Sequence, residues 1–212
     1  MRTNPLSDTL QFLFEAKWVT GIFWILLVAS LAVAAWTWRR NPSQRTFPHV
    51  WTFLARLFVG AMWWQQSLWK LPPTYTDRAD GTGGLRYWVG EMVKWAAFPP
   101  QGHLVKDVVL PHFGFFAPQV YLGEVFVAAS LMLGVFTRLG GALGALMAAN
   151  LWLGLYRSPA EWPWTYFFLL VVNGTFAVYR AGRSLGVDAW LAGRLSEATL
   201  GARARRLVEL VT

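Results

Sequence analysis

Five stretches of the chain stay apolar over the length a helix needs to cross about 30 Å of hydrocarbon, roughly 20 residues. They cover residues 18–37, 50–71, 117–137, 139–156 and 162–180, so the pattern predicts an all-α integral membrane protein with five spans. Polar interruptions inside the spans are few and regularly placed. In the second, Arg56, Gly60, Trp63, Ser67 and Lys70 follow at intervals of 4, 3, 4 and 3 residues, which keeps them on one stripe of a helix. In the third, Tyr121, Glu124, Ala128, Leu131, Val135 and Arg138 do the same. Spans two and three run in opposite directions, so Lys70 and Gln66 reach the outer surface at about the depth of Glu124, and Arg56 and Arg138 lie toward the cytoplasm. Asn150 falls in the outer half of span four and Asn173 in the inner half of span five. Two polar levels are expected: Glu124 with Gln66, Lys70 and Asn150 above, and Arg56 with Asn173 below.

The segment between the second and third spans, 72–116, has a pattern of its own. After the flexible run Asp80-Gly81-Thr82-Gly83-Gly84, the apolar positions Leu85, Trp88, Val89, Met92, Trp95 and Ala96 recur at helical spacing, with Arg86, Glu91 and Lys94 elsewhere on the wheel. This predicts an amphipathic helix lying in the outer interface. Pro99-Pro100 is expected to end it, and a second short helix should run over 103–110 and stop at Pro111. No Lys-Ser/Thr follows the glycines, which makes them a hinge rather than a phosphate loop. Gly140, Gly144 and Ala148 recur every fourth residue in the fourth span, with Gly141, Ala145 and Ala149 beside them, the signature of close packing within one bundle. Seven of the tryptophans (Trp18, Trp36, Trp38, Trp51, Trp69, Trp162 and Trp164) fall at span ends, where amphipathic rings anchor at headgroups. Trp24, Trp63, Trp64 and Trp152 fall deeper.

Composition supports the membrane reading: 55% of residues are hydrophobic, 14% are charged, and the mean hydropathy is +0.36. The net charge of +8 changes the picture by its placement. Arg39, Arg40 and Arg45 follow span one, Arg138 sits between spans three and four, and Arg180, Arg183, Arg194, Arg203, Arg205 and Arg206 close the chain. These belong against the anionic lipid of the cytoplasmic face, which excludes nucleic acid as the partner. In 72–116, Arg78, Arg86, Lys94 and Lys106 are balanced by Asp77, Asp80, Glu91 and Asp107, so that segment tolerates export. The N-terminus is then outside and the C-terminus cytoplasmic. Span one is expected to be retained rather than cleaved at Ala32-Val33-Ala34, because Asp8 and Glu15 precede it and Arg39-Arg40 follow as a stop-transfer signal. The chain contains no cysteine, which excludes disulfides, thiolate chemistry, a cysteine-held iron–sulfur cluster and covalent haem. His49, His103 and His112 all lie outside the spans, so neither an intramembrane bis-histidine haem nor a metal site is expected.

An ionisable side chain at the bilayer centre costs about 2.5 to 3.5 kcal/mol, so those that persist usually serve a purpose. A proton relay, a quinone contact and a buried structural pair all suit Glu124 and Arg56. Lys70 can also snorkel to the headgroups, and Asn150 and Asn173 can simply bond neighbouring helices.

Three segments in order carry a resemblance: RLFVGAMWWQQSLWKLPP (56–73), YLGEVFVAASLMLGVFTRLGG (121–141), and EWPWTYFF with AGRSLGVDAWL (161–168, 181–191). Together they resemble the DoxX/DoxD family of small bacterial and archaeal membrane proteins, over about two-thirds of the chain, with span one outside the match. The resemblance implies a four-helix bundle over 50–191 with the exported amphipathic insertion 72–116. An extra N-terminal transmembrane helix and basic connection (1–49) precede it, and a basic cytoplasmic tail (192–212) follows. It also implies a bacterial or archaeal cytoplasmic-membrane location. For the DoxD branch it implies a small subunit of thiosulfate:quinone oxidoreductase that passes electrons to quinone. By motif, Arg56 and Lys70 match the family's first-helix arginine and lysine, Glu124 its second-helix glutamate, and Arg138 the arginine closing that helix. No second domain resembling the DoxA partner is present, so any sulfur chemistry belongs to another chain.

Three functions follow as expectations. In the first, a quinone-linked oxidoreductase subunit, Trp63 and Trp64 wall an apolar site, Arg56 and Glu124 act on the quinone, and Gln66, Lys70, Arg138, Asn150 and Asn173 are further quinone or lipid contacts. In the second, the chain is a non-catalytic accessory subunit of a larger respiratory or photosynthetic membrane complex. A transporter is disfavoured, because the spans show no inverted repeat and no broken helix pair.

Overall fold

The computed structural model describes residues 4–15, 17–76, 83–197 and 202–212; of the expected hinge at 80–84, residues 80–82 lie outside them. Among the described residues the chain is an all-α bundle of ten helices with no strand. In chain order these are α1 (Pro5–Phe14), α2 (Trp18–Arg40), α3 (Phe47–Ser67), α4 (Gly84–Trp95) and α5 (Pro99–Leu104). They continue with α6 (Phe113–Leu133), α7 (Thr137–Gly154), α8 (Pro163–Val178), α9 (Val187–Glu197) and α10 (Ala202–Val211). Proline sits in the first turn of α1, α3, α5 and α8, where its missing N–H leaves no intrahelical bond unmade.

Two of these helices, α2 and α6, are long and apolar enough to cross a membrane, and α8 is apolar but shorter. In α3, Arg56 and two glutamines dilute the apolar run, and in α7 threonine, arginine, glycine and Asn150 do so.

Several expected boundaries move. The helix bearing Glu124 ends at Leu133, because Gly134 adopts a left-handed conformation at φ 69° and its N–H returns to the Ser130 carbonyl. Arg138 therefore opens α7 rather than closing α6. Pro99 and Pro100 start α5 instead of terminating α4, which has already ended at Trp95, and α5 continues into a wider turn over Val105–Val109. The tail expected from residue 192 is not separate, since α9 runs through that point and α10 packs back on α7.

The helices α3 and α6 cross closely at Gly60, where an added Cβ would lie 2.8 Å from Met132 Cγ and 2.9 Å from the Met132 nitrogen. The small residues of α7 work inside the bundle, as their spacing suggests. A Cβ on Gly141 would meet the Asn173 carbonyl at 2.7 Å, one on Gly140 would strike the Ser130 side chain, and Ala148 is fully buried. The helix α2 is pinned to α6 where the Ser30 hydroxyl donates to the Met132 carbonyl at 2.6 Å. Phe23, Phe53, Leu57, Trp63, Leu131 and Phe176 interlock across α2, α3, α6 and α8 as the main core.

A second core closes one end. The apolar stripe of α4 is present as expected, but Leu85, Val89 and Met92 are buried with Val105, Ala117 and Leu155, so they face the bundle rather than an interface. Backbone bonds from Leu85 to Tyr75 (2.8 Å), Ala97 to Leu153 (2.7 Å) and Arg157 to Trp95 (3.0 Å) fix this cap. It lies at the end of the bundle carrying Lys70; Arg56 is at the other, about 20 Å away along α3.

Gly60 and Gly174 predict opposite responses to one added methyl. Gly60→Ala should lower stability by about 1 to 3 kcal/mol, because backbone of α6 stands in the way. Gly174→Ala, with nothing within 4 Å of the new Cβ, should be neutral or gain up to about 1 kcal/mol of helix propensity. Thermal unfolding of the two variants in detergent is the check, and equal midpoints would contradict the α3–α6 crossing.

Candidate functional site

Arg56 projects from the buried stripe of α3 at the point where α6 runs out of intrahelical donors for its last carbonyls. Its Nη1 donates to the Leu131 carbonyl and to that of Met132 (3.0 Å), and its Nη2 reaches the Ser184 carbonyl at 3.5 Å. The side chain is fully buried, and Phe53 offers its ring face 5.5 Å from the guanidinium carbon. A cation at a helix C-terminus is favourably placed against the dipole. Arg56 thus caps α6 and ties it to the 181–188 segment.

The matching anion is Asp188, which the sequence reading missed. Its Oδ1 accepts from the Phe136 N–H at 2.8 Å, and its Oδ2 accepts from the Thr137 N–H at 3.0 Å and from the Thr137 hydroxyl at 2.7 Å. Phe136 and Thr137 begin α7, so a carboxylate from a distant helix caps the α7 N-terminus. The Asp188 N–H returns to the Gly134 carbonyl at 2.8 Å, and the Thr137 hydroxyl accepts from the Gly182 N–H at 2.9 Å. Burial pushes the Asp188 carboxyl up from its ordinary value, while the bonds from Thr137 and Phe136 and the charge of Arg56 pull it back. Gln44 completes the knot, donating to the Arg183 carbonyl at 2.9 Å and accepting from the Leu185 N–H at 2.7 Å. His49 bonds the Ser184 hydroxyl at 2.9 Å. The segment AGRSLGVDAWL is therefore the keystone of this end, and its chemistry is mechanical.

At the other end, Lys70 and Glu124 form a buried ion pair through Glu124 Oε1, with side-chain exposures of 7% and 3%. The Lys70 ammonium also lies 4.3 Å from the centre of the Trp69 ring. Glu124 Oε2 is buried and has no hydrogen-bond partner. Tyr75 packs its ring 6.4 Å from that of Tyr121, one helical turn before Glu124.

The structure unites Glu124 with Lys70 as expected and separates the other members of both levels. Gln66 turns to Trp69, accepting from its indole N–H at 3.2 Å. Asn150 is exposed, because it stands roughly 200° around α7 from the buried Ala148. Asn173 does not join Arg56: its Oδ1 accepts from the Trp63 indole at 3.3 Å and its Nδ2 donates to Leu169 at 2.7 Å, with Gly144 making room for it. Trp64 is buried with an unpartnered indole N–H. Arg138 donates to the Glu209 carbonyl at 2.9 Å and holds α10. The signal that could have exposed Asp188 was its place in the first turn of a helix, where a carboxylate is favoured. No protein family, curated protein or solved structure matches this chain.

Asp188→Asn tests the cap. The amide nitrogen would face the Thr137 N–H, donor against donor, so the variant should lose about 1 to 3 kcal/mol of unfolding free energy. An unchanged unfolding midpoint in detergent would contradict the assignment.

Proposed function

We propose that the chain is a membrane subunit of a quinone-linked electron-transfer complex, a DoxX/DoxD-like four-helix bundle of α3, α6, α7 and α8 with α2 as an added N-terminal span. The membrane placement draws support from the outward faces of these helices. Ile25, Val28, Phe58, Leu122, Leu146 and Val178 are all more than half exposed, an apolar belt that water would penalise. The arginines at the Arg56 end support an orientation with that end in the cytoplasm and the α4–α5 cap outside, and the proposed setting is a bacterial or archaeal inner membrane.

The observation that carries the quinone reading is the unspent Glu124 Oε2 beside the buried Lys70 ammonium. A quinone becomes a quinol by taking two electrons, supplied here by a partner chain, and two protons. The ammonium can donate a hydrogen bond to a quinone oxygen, and the Glu124 carboxylate, taking up protons from the aqueous phase one at a time, can pass each to the reduced quinone. Trp69, Tyr75 and Tyr121 supply aromatic surface around the pair. Arg56, by contrast, has its Nη groups engaged by backbone carbonyls, so the catalytic part expected of it passes to Lys70 with Glu124.

A second reading, an accessory subunit of a respiratory or photosynthetic complex without chemistry of its own, is favoured by Asn173 and Asp188, whose polar atoms bond groups of this chain, and by Arg56, whose Nη groups do the same while its Nε stays unpaired. Glu124→Gln separates the two. It keeps the shape and a hydrogen bond to Lys70 but cannot deliver a proton, and quinone reduction per assembled complex should fall by about 100-fold. Extraction of quinone with the purified wild-type complex is expected as well. Unchanged turnover in an assembled variant would leave the accessory reading.

A further inference from the structure

The first helix of the chain, α1, has three faces, one of which the bundle leaves uncovered. At about 100° per residue, Phe12 and Leu13 point one way, Leu6, Leu10 and Phe14 lie about 110° to one side of them, and Asp8 about 90° to the other. Phe12 and Leu13 pack on the main core, and the Phe12 ring lies 5.1 Å from that of Phe23. The stripe beside them is open: Leu6, Leu10 and Phe14 are 77%, 54% and 74% exposed. The helix is nonetheless fixed in place. The Leu13 carbonyl accepts from the Trp24 indole N–H at 2.8 Å, and the Phe14 ring lies 6.4 Å from that of Trp24, so α1 doubles back and sets its last turn beside the second turn of α2. Asn4 caps its start, accepting from the Ser7 N–H at 2.7 Å. Trp24 stands about 9 Å along α2 from Trp18, where that helix begins. This is the depth at which an amphipathic helix beds in a bilayer, with its apolar face roughly 5 to 10 Å into the boundary between headgroups and acyl chains.

We propose that α1 is a lipid anchor, lying in the outer interface beside α2 with Leu6, Leu10 and Phe14 in the acyl chains and Asp8 toward water. The helix against which it lies exposes Trp18, Ile25 and Val28, so the lipid that meets α2 also covers the open stripe of α1. No Lys, Arg or His occurs in α1, so burial of apolar surface holds it there and attraction to anionic headgroups does not. This is the interfacial place that the sequence pattern assigns to α4, whose apolar residues turn instead to the bundle. The anchor is independent of the quinone reading and rests on the membrane placement.

Because the chain has no cysteine, single-cysteine variants of the full chain each report one position. Leu6→Cys, Leu10→Cys, Asp8→Cys and, as a marker of the span itself, Ile25→Cys are labelled with a small fluorophore in phosphatidylcholine nanodiscs, then quenched either by a lipid carrying a nitroxide high on its acyl chain or by aqueous iodide. Labels at positions 6, 10 and 25 should lose about half their emission or more to the nitroxide lipid and little to iodide, and the label at 8 the reverse. The pattern should be the same when phosphatidylglycerol replaces part of the phosphatidylcholine. If position 25 meets the nitroxide but 6 and 10 respond to iodide as 8 does, α1 is an arm in water and the anchor is overturned while the membrane placement stands. Labels at 6 and 10 that neither quencher reaches would mean that a second copy of the chain covers the stripe, and a response that needs phosphatidylglycerol would mean that charge holds the helix; each overturns the proposal. If position 25 does not meet the nitroxide, the membrane placement falls and the anchor with it.

Discussion

The guanidinium of Arg56 is the tie on which the basic end of the bundle depends. It is fully buried, and it meets three backbone carbonyls from two segments far apart in sequence. An arginine placed there without those acceptors would cost several kcal/mol in desolvation, so α3, α6 and the 181–188 segment are held to one arrangement. Asp188 answers it from the other side of the same corner. Between them, the turn from Gly134 to Thr137 has its flanking helix ends satisfied by side chains of opposite sign, each matched to its helix dipole.

This corner accounts for the close packing elsewhere. Once α6 and α7 are fixed at their junction, Gly60 lets α3 approach Met132, and Gly141 and Gly144 let α8 approach α7 with Asn173 between them. Trp63 then closes the interior through its bond to Asn173. The far end is closed by the second core and by the backbone bonds of the short helices, and its buried polar feature is the ion pair of Lys70 with Glu124. The polar groups of the bundle thus divide into a cluster tied mainly to backbone groups, in which Arg56 keeps a buried Nε–H unpaired, and an ion pair that keeps one carboxylate oxygen free beside an ammonium. That division is the physical basis for placing function at Lys70 and Glu124 in the reading we propose.

The helical stripes were legible because they need only spacing: Arg56, Gly60, Trp63, Ser67 and Lys70 are all buried, and Lys70 meets Glu124. The small-residue repeat of α7 was legible for the same reason. What spacing could not supply was rotation and partner. Asn150 and Ala148 are two residues apart and face opposite ways, and Asn173 found Trp63 instead of Arg56. Asp188 escaped notice because its partners, two backbone N–H groups and the Thr137 hydroxyl, are 51 and 52 residues away and leave no mark in composition or periodicity. The boundary at Leu133 was misplaced because an apolar run continues through Gly134, whose left-handed backbone ends the helix without a change in hydropathy.

A double-mutant cycle on Arg56 and Asp188 addresses the central claim most directly. Arg56→Met, Asp188→Asn and the double variant would be compared with wild type by reversible unfolding in mixed micelles. If the two side chains clamp one corner, the double variant loses less than the sum of the single losses, by about 1 kcal/mol or more. Strict additivity would contradict the account, since it would mean that the two caps act independently and that no shared corner orders the bundle.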